Sequence, residues 1–252
     1  MVTNKIRITT DALVIKEMSI GESDKLLTLL SKDYGVIKAF SSGSKKINSK
    51  KFSASSLLTY ANFSLVKTGD TYKIYEASTI TSFFTAGQDI SVLSLAQYFC
   101  ELSMYLAPSE MPAVEFLRLI LNSLDQIVNK KRDLNLIKTI TEIRAISLAG
   151  YTPNLIACAI CANFDDDKFY FNVQSGEIFC NNCKTNSEFE RAINKTHLDA
   201  LRHVVFSDFS KIYYFDIPSD DAKYLSLISE EYVILHCEHK FSTLSFYKSI
   251  SD

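Results

Sequence analysis

The sequence predicts an α+β chain of several modules: a small N-terminal β-barrel, then a helical bundle into which a four-cysteine hairpin is inserted. Three observations carry this. Short apolar runs separated by turn signals fill residues 8–79, the apolar period lengthens after residue 88, and four of the six cysteines stand in two pairs, Cys158/Cys161 and Cys180/Cys183. A chain of 252 residues has room for two or three such modules. The boundary is drawn at 80/81, giving a barrel over 1–80 and a helical domain over 81–252 that holds the cysteine segment, 156–185.

The five runs of the first module are ALVIKEM (12–18), KLLTLLS (25–31), VIKAFSS (36–42), YANFSLVK (60–67) and YKIYEAST (72–79). Asp33-Tyr34-Gly35 turns the chain before the third, and Thr68-Gly69-Asp70 joins the last two as a tight hairpin. Five strands in about eighty residues predict a small barrel, with the OB-fold a leading candidate beside an SH3-like barrel. Beyond it, Asp89 caps a helix that runs to about Ala107 and stops at Pro108. MPAVEFLRLILNSLDQIVNK and LNLIKTITEIRAISLAGYTP follow as helices, the latter closed by Gly150 and Pro153. Thr196-His197-Leu198-Asp199 is read as the cap of another helix, and Ser219 opens a long one to about His239.

The two cysteine pairs are separated by eighteen residues, a spacing that suits a tetrahedral four-cysteine zinc site. Phe169–Phe179 between them reads as a hairpin turning at Gly176, which brings the second pair back beside the first. The start, MVTNKIRITTDALVIKEM, carries no apolar run long enough for a signal peptide, so the expected compartment is the reducing cytoplasm, where disulfides are rare and thiolates remain free for metal. With all four positions filled by protein, one structural zinc is expected. Cys100 and Cys237 sit in apolar patterns and read as small buried hydrophobes; His236 and His239 beside Cys237 offer a weaker second metal arrangement.

Net charge is only −2, but it is unevenly placed. Residues 1–80 hold twelve Lys/Arg against seven Asp/Glu, a balance of +5, which leaves fifteen against twenty-two, or −7, for the rest. The densest basic patch is Ser44-Lys45-Lys46-Ile47-Asn48-Ser49-Lys50-Lys51-Phe52. Cationic clusters on a small barrel attract phosphates, and nearby aromatic rings offer stacking surfaces for bases. The expected nucleic-acid contacts are Arg7, Lys38, Phe40, Lys45, Lys46, Lys50 and Lys51, with Phe52, Tyr60, Tyr72 and Tyr75 as further rings and Lys16, Lys67 and Lys73 as further charge. The seven glycines never form GxG, which leaves no nucleotide-binding loop, and no HExxH or deaminase pattern occurs. No catalytic residue is expected and the chain reads as a non-enzyme. Rival readings are a zinc-ribbon RNA or transcription factor and a protein-interaction scaffold.

The order of Ala12–Lys16, Gly21–Leu26, Tyr34-Gly35-Val36 and Gly43–Lys50, with Leu148-Ala149-Gly150-Tyr151-Thr152-Pro153-Asn154-Leu155 leading into the two cysteine pairs, resembles the bacterial RecO family of DNA repair and recombination mediators. The resemblance spans nearly the whole chain, including a last helix ending near Phe246–Ser249. It implies an N-terminal OB-fold, a helical C-terminal domain and a zinc segment. It further implies binding of single- and double-stranded DNA, strand annealing without ATP, and work with RecR to help load RecA onto DNA coated by single-stranded-DNA-binding protein. That protein's acidic C-terminal tail would dock on residues 81–252, between helices rimmed by cations among Arg118, Lys138, Arg144, Arg202 and Lys240. The expected setting is cytoplasmic and nucleoid-associated, with no membrane partner. Two features depart from the family pattern: Ala162-Asn163 follows the second cysteine where glycine is frequent, and the C-terminal half is acidic.

Overall fold

The computed structural model describes residues 7–46, 49, 51–84 and 87–251; Lys50 of the basic patch lies outside them. The chain forms two compact units, Met1–Val128 with Phe241–Asp252, and Asn129–Lys240. Packing therefore divides the chain at 128/129, well past the barrel's last strand, and the final helix returns to the first unit.

In the first unit, β1 (Arg7–Ile20), β2 (Asp24–Ser31), β3 (Gly35–Ser41), β4 (Thr59–Thr68) and β5 (Thr71–Ser82) form a barrel in the order β1-β2-β3-β5-β4, with β4 paired back onto β1. The five strands are those expected from the apolar runs, and the barrel is OB-like. The pairings are antiparallel except at the seam between β3 and β5, which is parallel and only two residue pairs long: Ala39 with Tyr72 and Phe40 with Lys73. The barrel is thus partly open there. Alternate residues Leu27, Leu29, Ile37, Ala39, Phe63, Leu65 and Ile74 point inward and make its core. Gly35 opens β3 at a left-handed φ of 61° and passes so close to the 108–111 loop that a Cβ would meet the Pro108 carbonyl oxygen at 2.0 Å. Val36 N–H donates to that same oxygen at 2.8 Å. Only glycine fits both demands.

Two helices pack on this barrel, α1 (Ile90–Leu106), capped by Asp89 as expected, and α2 (Val114–Val128). The final helix (Ser242–Ser251) lies on α1. Its first amides, at Ser242 and Thr243, donate to the Glu101 carboxylate of α1, which satisfies donors a helix start leaves open.

In the second unit, α3 (Leu134–Leu148), capped by Asp133, leads to the cysteine segment. A three-stranded sheet follows, β6 (Lys168–Asn172), β7 (Glu177–Cys180) and β8 (Glu190–Asn194), in the order β7-β6-β8. The hairpin turns at Gly176 with φ 72°, as its sequence predicts. Helices α4 (Lys195–Phe206) and α5 (Ser219–Cys237) complete the unit, and the final helix at Ser242–Ser251 is α6. Thr196 does not cap α4. Asn194 does, accepting from His197 N–H at 2.8 Å while the His197 ring receives the Asn194 amide. The helix starts earlier because β8 runs directly into it and Asn194 is the first residue able to close such a box.

Between α3 and α5 the core holds charge. Lys138, 1% exposed, pairs with Glu142 at 3.0 Å and Glu230 at 3.1 Å, and donates to the Ser226 carbonyl at 3.0 Å. Lys138 therefore cannot serve as an exposed rim cation for a docked tail. Arg144 and Arg202 hold backbone carbonyls instead, Arg144 those of Val204 and Val205, Arg202 those of Leu155 and Ile156. Among the described residues no helix is long and apolar enough to cross a membrane.

Candidate nucleic-acid interface and metal centre

The basic patch is held by a carboxylate. Asp24, at the start of β2, accepts from Gly43 N–H at 2.7 Å and from Ser23 Oγ at 2.9 Å. The Gly43 amide first and Ser23 second hold its acid below the usual aspartate range, with Lys51 and Lys46 adding a smaller pull. The 42–46 segment is further tied down by Lys45, whose N–H donates to the Ser23 carbonyl at 2.9 Å and whose ammonium donates to the Gly21 carbonyl at 3.1 Å. Part of Lys45's donor capacity therefore braces the β1–β2 turn. Lys46 is exposed, and Lys51 is half-buried. Burial and then the nearby Lys73 charge push the Lys51 ammonium below its ordinary pKa, so two cations of this face are close enough to repel.

Other expected residues fall on the outer face of the barrel. Lys38 is exposed and Phe40 half-buried on β3, alternating with inward Ile37 and Ala39. Across the seam, Phe40 is the register partner of Lys73. Arg7 opens β1, exposed, with its guanidinium on Glu76 at 2.8 Å and its Nε donating to Ser64. Of the extra rings, Tyr72 offers no face to a base: it is 3% exposed and its hydroxyl donates to Glu110. Lys25, which its sequence does not mark as a core residue, is buried against Glu17 and the Ser55 carbonyl.

The four cysteines converge as their spacing predicts. The sulfurs of Cys158, Cys161, Cys180 and Cys183 all lie within 4.8 Å of one another, with Cys161 and Cys180 at 3.6 Å. Four sulfurs about 2.3 Å from one tetrahedral centre would stand about 3.8 Å apart, so the group could hold a metal ion. Each pair is shaped by backbone. Ala162 N–H donates to the Cys158 carbonyl, Cys183 N–H to that of Cys180, and Ala159 N–H to Ile178 on β7 fastens the first turn to the hairpin. Burial pushes Cys158 up, but amides of Cys161, Cys180 and Ile160 together draw it down to about 6, whereas its neighbours, Cys161 first, push Cys183 up to about 12. A cation held among them would offset the repulsion that four such close thiolates would feel. Cys100 and Cys237 are buried thiols raised to about 12 and about 11 by desolvation, inert rather than ligating. His236 Nδ1 donates to the Tyr232 carbonyl at 2.9 Å and its ring lies tilted against the Tyr232 ring, and no second cluster of metal ligands occurs among the described residues.

A family profile described as Recombination protein O N terminal matches residues 5–83, and one described as Recombination protein O C terminal matches residues 87–245. The chain belongs to the RecO family. Relatives carrying the name DNA repair protein RecO include that of Acetivibrio thermocellus, 28% identical over 96% of this chain and 97% of its own. The protein of Caldicellulosiruptor bescii is 27% identical over 96% and 98%, and that of Dehalococcoides mccartyi 28% identical over 81% and 80%. One RecO profile ends at residue 83 and the other begins at 87, whereas packing divides the chain at 128/129.

Proposed function

We propose that the chain is an ATP-independent recombination mediator that binds single- and double-stranded DNA on its barrel, anneals complementary strands, and with RecR helps load RecA onto DNA covered by single-stranded-DNA-binding protein. The observation that supports it most is the gathering of Lys46 and Lys51 near one carboxylate, Asp24, with Lys73 close to Lys51 on the barrel. Annealing needs relief of repulsion between two polyanions, and an ordered cationic surface supplies it by replacing condensed counterions. Lys38, Lys45, Lys50, Arg7 and Phe40 belong to the same proposed interface. In this reading the four cysteines hold one structural zinc and catalysis has no part.

Docking of the acidic tail on the helical region belongs to this reading too, with two exposed cations as alternative rim candidates, Arg118 in the first unit or Lys240 in the second. The deciding experiment is strand annealing on DNA precoated with the cognate single-strand binder, without nucleotide. Accelerated annealing is expected. No acceleration, with DNA binding intact, would reduce the protein to a DNA-binding scaffold.

A further inference from the structure

The register of β4 with β5 shifts at two places, between Tyr60 and Ala61 and between Ser64 and Leu65, and the second falls on the cationic side of the barrel. Leu65 pairs with Ile74 and Ser64 with Glu76, leaving Tyr75 unpaired as the extra residue of a β-bulge. Without it, alternation along β5 would turn Glu76 inward after Ile74. With it, Tyr75 and Glu76 both face out and Ala77 returns to the core. Bulges re-aim side chains, and this one puts a tyrosine 51% exposed on the barrel's outer face.

The ring does not stand alone. The Arg7 guanidinium carbon lies 5.7 Å from its centroid and the Lys73 ammonium 6.0 Å. Lys73 in turn repels Lys51 and is the register partner of Phe40. A track of cations therefore runs from Lys51 through Lys73 to Arg7, with Tyr75 as an exposed ring between the last two. Two residues along a strand span about 6.6 Å, comparable to one extended nucleotide step, so Lys73 and the ring can meet a phosphate and the adjoining base. We infer that bulged Tyr75, flanked by Lys73 and Arg7, is a nucleobase-stacking subsite for single-stranded nucleic acid. This deepens the DNA-binding reading and rests on it.

Glu76 bears on the site with the opposite sign. Its carboxylate is 78% exposed and occupies Arg7 at 2.8 Å in the position a phosphate would take. An exposed pair of this kind is weak, so a phosphate can displace it.

The chain contains no tryptophan, so Tyr75→Trp introduces a single indole at the site. In the full-length protein, titration with a dye-labelled oligothymidylate is followed by anisotropy of the dye and by indole emission. Stacking is expected to quench the indole in step with the anisotropy, whereas Phe164→Trp, exposed in the second unit, stays bright. Tyr75→Ala is expected to weaken binding roughly 5- to 150-fold, Tyr75→Phe to restore it, and Glu76→Gln to tighten it. Full anisotropy with an unquenched indole in the Tyr75→Trp variant, or equal quenching in the Phe164→Trp variant, overturns the subsite while leaving DNA binding standing. No anisotropy change with the wild-type chain at low salt overturns both.

Discussion

Ala162 adopts a φ of 59°, the left-handed region, immediately after Cys161, at the position where relatives are expected to carry glycine. A residue with a Cβ pays about 1–2 kcal/mol there, partly offset by the greater freedom glycine has when unfolded. Ala162→Gly should therefore raise the stability of the knuckle by up to about 1 kcal/mol, read as a higher urea midpoint at unchanged slope. Lys138 makes the contrasting case. Removing it strands Glu142 and Glu230 in a dry interior, and Lys138→Ala should cost about 3–5 kcal/mol, measured by the same unfolding curve. The sequence hides this residue because helix α3 buries nearly its whole circumference, including Thr139, Thr141 and Glu142, so a lysine in it looks like an ordinary surface charge. The cysteines are legible because ligand spacing is local. Tyr75 reads in the sequence as one ring among several, since a bulge is a property of pairing between strands and leaves no mark on either strand alone.

At the scale of elements, all five barrel strands are legible from alternation and turn glycines, and the first helix from Asp89 and Pro108. Strand β8, ERAIN, is not: it is short, opens on two charged residues, and exists because β6 offers its free edge. The start of α4 is misread for the same reason, its cap lying at the end of a strand that alternation could not reveal. The 42–51 loop is the element on which the nucleic-acid reading is most exposed to test. Lys45, Lys46, Lys50 and Lys51 replaced together by Ala should weaken single-strand binding with little sequence dependence. Every phosphate left without its lysine should reduce the log–log salt slope by about 0.7. Because the Lys45 ammonium also braces the Gly21 carbonyl, Lys45→Ala alone should loosen the β1–β2 turn more than it changes the slope. An unchanged slope in the quadruple variant would move the DNA surface off this loop.

At the scale of the whole molecule, charge and metal chemistry fall in different units. The cationic face belongs to the barrel unit, and the four sulfurs belong to Asn129–Lys240. Metal binding and local folding are coupled wherever the site does not preexist in the unfolded chain. If the cysteines hold one zinc, protein purified without chelator should contain one equivalent by elemental analysis. Stripping that zinc, or replacing Cys180 by Ser, should then loosen a defined region. Cys180 pairs with Phe169 in the hairpin, and Ala159 N–H reaches Ile178, so the loosening should spread through β6 and β7. Amide exchange should accelerate over 154–194, while β1, β2 and β4 keep their protection and oligothymidylate binding changes less than about threefold. Loss of protection confined to the barrel, or loss of DNA binding with the barrel still protected, would instead make the metal centre part of the nucleic-acid surface.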